Sequence, residues 1–142
     1  MRAPRPGRDQ RGFVTLWILG LTVSIMFLGG LGLDLWRAIA VRRDVSAMAD
    51  AAATAGANGL DEAALRGGEL QLDGARVRAL VADELAQYPE SSRLTGEEVA
   101  VDGASVRVTL RERVGFSLLS IFMGGGHFTV QASATAEPSE FP

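Results

Sequence analysis

Across 142 residues with a net charge of −3, every one of the 14 basic side chains is Arg, and there is no Cys. The missing thiols exclude disulfides and thiolate metal sites. The acidic balance argues against nucleic acid as a partner, because that affinity rests on neutralising phosphates. Arg in place of Lys, with abundant Ala and Gly, is the usage of a GC-rich bacterial genome.

Residues 1–12 form a basic arm, with Arg2, Arg5, Arg8 and Arg11 against Asp9. Phe13 to Leu33 follows as 21 residues without a charge. A helix of that length spans roughly 30 Å, the hydrocarbon thickness of a bilayer. The run therefore reads as a transmembrane helix, residues 13–33. Basic residues ahead of it favour a cytoplasmic N-terminus and an extracytoplasmic remainder. A cleaved signal peptide is the rival reading, but its apolar region is usually only about 7–15 residues. The small-residue sites Ala38-Ile39-Ala40 and Ala47-Met48-Ala49 also lie beyond the first charges, so a retained anchor is expected. Trp17 and Trp36 are 19 positions apart, and each is placed to sit at one membrane interface, in contact with lipid; the alternative is that one of them packs against a partner helix.

The helix is expected to continue over residues 34–59. Val41, Val45, Met48, Ala52, Ala55 and Gly59 repeat every three or four positions, with Arg42, Arg43, Asp44 and Asp50 mostly off that stripe. This is an amphipathic pattern. Asn58-Gly59 reads as its C-cap, and Gly29, Gly30 and Gly32 as its weak point. Asp34 is the first charge after the span. It serves either as a membrane stop paired with Arg37 one turn on, or as an ion-pair partner for a neighbouring subunit. The nearly all-small run Ala47–Ala57 permits close backbone approach, and Asp50 interrupts it. Asp50 is either solvated or paired with an Arg across an interface.

Residues 60–142 read as a small extracytoplasmic α+β domain. A short strand is expected at Glu69–Leu72. Asp73 is an N-cap for a helix of about residues 74–88, with Val77, Leu80, Val81, Leu85 and Tyr88 on one face and Pro89 as its stop. Val99 and Val101 alternate into a turn at Asp102-Gly103, and Ala104, Val106, Val108 and Leu110 alternate out of it, giving a hairpin. Leu118, Leu119, Ile121, Phe122 and Met123 read as core, the alternative being a docking patch. Phe128, Val130, Ala132, Ala134 and Ala136 mark a last strand. The expected architecture is one helix on a three- to four-stranded antiparallel sheet, behind a long N-terminal helix.

No constellation for catalysis emerges. His127 is the sole histidine, Ser117 and Ser120 lack a nucleophile context, and Gly124–Gly126 precedes a strand rather than a phosphate-binding helix. Glu97 and Glu98, as strand neighbours, face opposite ways. The chain reads as a non-enzyme without cofactor, metal or small-molecule substrate.

Gly12, the uncharged span, Asp34, Arg42-Arg43 and the run Ala49-Asp50-Ala51-Ala52 through Ala55-Gly56-Ala57 together resemble the N-terminal segment of the Tad (tight adherence) pilus-assembly proteins, the TadE/TadG-like group. VQASATAE at 130–137 is similar to the strand that ends many members. The resemblance implies a minor-pilin-like, single-pass structural or assembly component of a Tad/Flp-type pilus or secretion apparatus. Its implied partners are TadE-like and other pilin-like subunits or the inner-membrane platform proteins. Candidate subunit-interface residues are Asp34, Arg43, Asp50, Ala52 and Gly56. Pilins cut by a prepilin peptidase carry a Glu five residues after the cleavage site. Counted from Gly12 that position is Trp17, which aligns the chain with the TadG-related branch. The alternative is a membrane-anchored envelope binding module unrelated to pili.

Overall fold

The computed structural model describes residues 10–117, 120 and 124–138. The expected core residues Leu118, Leu119, Ile121, Phe122 and Met123 fall outside these, as do residues 1–9 of the basic arm. Helix α1, Gln10–Ala57, runs unbroken for 48 residues, about 72 Å at the usual helical rise. It passes through Gly29, Gly30 and Gly32 without interruption. With no proline after Pro6 until Pro89, nothing removes a hydrogen bond from its interior.

At its end, Asn58 Nδ2 donates to the Thr54 carbonyl at 3.3 Å, and the Gly59 N–H donates to Gly56 O at 2.9 Å. Gly59 is required for proximity, not for a left-handed turn. A Cβ there would meet Val77 Cγ2 at 2.9 Å and its backbone N at 3.0 Å. Between α1 and the next long helix, Asp61 caps a short helix α2, Glu62–Arg66. The strand expected at Glu69–Leu72 is absent as such, because Leu72 forms only an isolated bridge with Leu60.

Helix α3, Gly74–Leu85, starts where expected. Asp73 Oδ1 accepts from the N–H groups of Ala75 at 2.8 Å and Arg76 at 3.4 Å. It ends three residues earlier than the pattern predicts. Pro89 instead opens a 3-10 turn, Pro89–Arg93, which carries the chain into the sheet.

The sheet is antiparallel, in the order β1 (Leu94–Asp102), β2 (Ser105–Gly115) and β3 (His127–Ala136). It has three strands. The hairpin turn is displaced by one residue from the expected place. Asp102 pairs with Ser105, so Gly103 and Ala104 make the turn. Gly103 takes φ +59° while Ala104 stays negative, the arrangement of a type II′ turn, which puts Gly first.

α1 is the central element. α3 packs on it through Val77, Val81 and Leu85, and β2 and β3 lie across its outer half. Val106, Val108 and Leu110 of β2 are fully buried against Val45, Met48, Ala49, Ala52 and Ala53. The small side chains on α1 let both layers approach closely. A Cβ on Gly56 would already meet Val81 Cγ2 at 3.1 Å, Val77 Cγ1 at 3.3 Å and Val106 Cγ2 at 3.4 Å.

Candidate functional site

α1 has two surfaces in series. From Phe13 to Leu28 every described side chain is exposed, including Phe13, Leu16, Ile18, Leu19, Ile25 and Leu28. Trp17 is 65% and Trp36 72% exposed, one near each end of the uncharged run. Such a belt, apolar all round, has no role in a water-exposed helix and suits a lipid environment. Its polar hydroxyls are turned inward along the helix: Thr22 Oγ1 donates to Ile18 O at 2.9 Å and Ser24 Oγ to Gly20 O at 2.8 Å. The helix is thus long and apolar enough to cross a membrane.

The change of surface occurs at Asp34, which is only 6% exposed. Its Oδ1 accepts from the Ser117 backbone N–H at 3.0 Å, and Arg37 Nη1 donates to Ser117 Oγ at 2.8 Å. Asp34 and Arg37 therefore grip the chain just after β2. Ser120 Oγ donates to Ser117 O at 2.6 Å, and the Phe116 N–H donates to Gly126 O at 3.1 Å, closing the base of the β2–β3 connection. Phe116 and Phe128 stand 5.7 Å apart between ring centres, over a hollow lined also by Leu31, Asp34, Leu35 and Ala38. Gly126 is needed here because a Cβ would fall 2.8 Å from the Phe116 ring.

The structure redistributes the candidate interface residues. Arg43 and Asp50 are exposed on the uncovered face of α1 and belong to no ion pair among the described residues. Ala52 and Gly56 do not present a surface to another chain. Ala52 is 0% exposed and Gly56 is buried between α3 and β2. The expectation of a subunit contact at these two positions is corrected. Their stripe is covered by the chain's own domain, because a small face accepts any close-fitting layer and this chain supplies one. Asp34 is likewise held within the chain, by a residue 83 positions away.

Periodicity also carried a residue that sequence reasoning missed. The alternation Val106, Val108, Leu110 continues to Glu112 and Val114, so Glu112 faces inward and is 6% exposed. Burial pushes its carboxyl above the usual glutamate range. Arg93 and Arg37 pull it down, and Asp44 and Glu90 push it further up. His127 is exposed at the start of β3, as expected of a surface residue. Glu98 pairs outward with Arg111 at 3.4 Å. On that solvent face Arg107 Nε donates to Thr135 Oγ1 at 3.2 Å and Arg111 Nε to Gln131 Oε1 at 3.2 Å.

No curated protein and no solved structure matches the chain. One family does. The matched stretch begins at Gly12, runs through the exposed belt and the Asp34 grip, and stops at Gly59, before α2. Residues 12–59, which comprise α1 almost entirely and the turn that closes it, match the Tad family of Flp pilus-assembly TadE/G-like proteins.

Proposed function

We propose that the chain is a minor-pilin-like, single-pass subunit or assembly factor of a Tad/Flp-type pilus or secretion apparatus in the bacterial cytoplasmic membrane. Its role is structural rather than catalytic. The observation that carries this reading is that the family match covers one continuous helix whose first half is a bare apolar belt and whose second half is the spine of a folded domain. A pilus subunit needs both: a span that exchanges lipid for neighbouring helices, and a head rigidly continuous with it. The Arg-rich arm favours a cytoplasmic N-terminus and an outer head. Arg43 and Asp50, exposed on the free face of α1, and the span itself are the surfaces offered to pilin-like or platform partners.

A photo-crosslinking amino acid at Ile25 or in place of Asp50, in cells that carry the apparatus, tests this. Adducts to TadE-like, pilin or platform proteins are expected, together with loss of piliation when the gene is deleted. An unchanged pilus in the deletion strain, with adducts to none of these proteins, would refute the assembly role and leave the anchored binding module.

A further inference from the structure

The family motif and the span leave unused the end of the sheet at Phe116, Ser117 and Phe128. Its position can be measured along two independent rulers. Val106 lies against Gly56, and Ser117, next to Phe116, is bonded to Asp34. The helix between Gly56 and Asp34 is ~33 Å long, and the strand from Val106 to Phe116 is also ~33 Å. β2 therefore runs straight back down α1, and Ser117, two residues past its end, meets Asp34, the neighbour of Leu33 at the end of the uncharged run. Gly30, inside that run, is already buried. The domain thus reaches the depth at which the helix leaves the membrane.

The chemistry at that end differs from the rest of the head. The half-buried rings of Phe116 and Phe128 stand beside Leu31 and Leu35, and exposed Trp36 projects from the same turns of α1. Aromatic and aliphatic side chains at one level around a membrane exit form an interfacial belt. Asp34 and Phe116 line one hollow, and the exposed charge nearest to each along the chain is basic, Arg37 on α1 and Arg113 on β2. At the opposite end, the hairpin carries Asp102 and the residue after β3 is Glu137, against the single exposed Arg107, so the balance there is acidic. An anionic surface would attract the first end and repel the second.

We propose that the Phe116–Phe128 end of the sheet is seated on the phospholipid surface, with its rings at the headgroup–acyl boundary and Arg37 and Arg113 facing the phosphates. The head is then a domain braced against the bilayer rather than one held off it on a stalk. The proposal rests on the reading of Phe13–Leu33 as a membrane span.

The test uses the full chain in vesicles of phosphatidylglycerol and phosphatidylethanolamine, with phospholipids brominated near the headgroup end of their acyl chains. One protein keeps Trp36 alone (Trp17→Phe). Two others carry Phe116→Trp or Phe128→Trp with both native tryptophans replaced by Phe. Blue-shifted emission, quenched by the brominated lipid to the extent seen for Trp36 and indifferent to aqueous iodide, is expected at 116 and 128. Lipid quenching of Trp36 with only iodide quenching at 116 and 128 would overturn the proposal and leave the span intact. Escape from lipid quenching of Trp36, and of Trp17 kept alone in a Trp36→Phe protein, would overturn the span itself.

Spin labels provide a second measurement that does not touch the core, since the chain has no native cysteine. His127→Cys and Asp102→Cys lie at opposite ends of the sheet, and both sites are exposed. Oxygen access with exclusion of an aqueous nickel chelate is expected at 127, and the reverse at 102. Equal chelate access at both sites, or exclusion at 127 that appears only as protein density rises, would show water or a second copy at that surface and refute lipid contact.

Discussion

The two halves of α1 belong to one unbroken helix and have opposite surroundings. Residues 13–28 are large and mostly apolar and are left bare, whereas residues 45–57 are mostly small and have one face covered by α3, β2 and β3. Apolar character alone does not separate them, since a buried spine and a lipid-facing span both have it. Side-chain size and its distribution around the helix do. A helix built to meet protein on several sides carries Ala and Gly, so that two layers can come close. A helix built to meet lipid carries bulk all round, because lipid adapts to any shape.

The largest expected effect comes from putting the same charge into each half's environment. Val108→Asp places an unpaired carboxylate in the core beneath α1 and should cost several kcal/mol, much of the stability of a domain this size. Thermal unfolding of the detergent-solubilised chain, followed by circular dichroism, should show the head's transition lost or greatly lowered. Val23→Asp should leave that transition in place. Its cost falls instead on membrane insertion, about 2.5–3.5 kcal/mol at a span's centre, read as a drop in the membrane-integrated fraction. Equal effects of the two variants on the head's melting would erase the distinction.

A gentler test is size. Ala52→Leu adds three carbons where no space exists and should destabilise the head by about 1–3 kcal/mol through overpacking, with helix propensity nearly unchanged. Ile25→Ala, in the bare half, should not move the head's melting temperature. Smaller still is the grip at the junction. Asp34→Ala removes the acceptor for the Ser117 N–H and should cost about 1–2 kcal/mol. Faster hydrogen exchange at Ser117 than at Val108 is the expected signature, because the loss is local.

Glu112 gives the covered half a pH dependence that the bare half lacks. Its carboxyl is raised by burial, so folding favours the protonated form. That contribution to stability is fully present below the ordinary glutamate value and is lost as pH rises through the raised folded value. Asp44 and Glu90 strengthen the effect, and Arg93 and Arg37 moderate it. Glu112→Gln should therefore flatten the decline in melting temperature from acidic to neutral pH. A slope unchanged by the substitution would assign the pH dependence to other groups.

Most of this architecture is legible wherever a local rule decides it. The alternation at 127–136 gives β3 with its observed ends, and Asp73 gives the start of α3 through its cap. The hairpin slips by one residue because Asp-Gly can occupy either of two turn registers, and only the pairing of Asp102 with Ser105 selects one. What covers the Ala52–Gly56 stripe was not legible. A period of three to four residues marks a face, but nothing local says whether the second layer comes from this chain or another. The Asp34–Ser117 bond has the same character, since it joins residues far apart in sequence that only the return path of β2 brings together. Glu112 was legible in principle, two steps beyond Leu110 in an unbroken alternation. It was overlooked because a charged side chain argues for the outer face until the register is followed through.

Single cysteines along α1, in a chain with none of its own, measure most directly whether one helix serves two environments. In membrane vesicles opened to both sides, a water-soluble maleimide should label Arg43→Cys and Asp50→Cys rapidly. It should label Ala49→Cys and Ala52→Cys only after the head is unfolded. Leu19→Cys and Ile25→Cys should resist it until detergent removes the lipid, whatever the state of the head. Rapid labelling at 19 and 25 in intact bilayers, or at 49 and 52 in the folded head, would contradict the division of α1 into a lipid-facing and a protein-facing half.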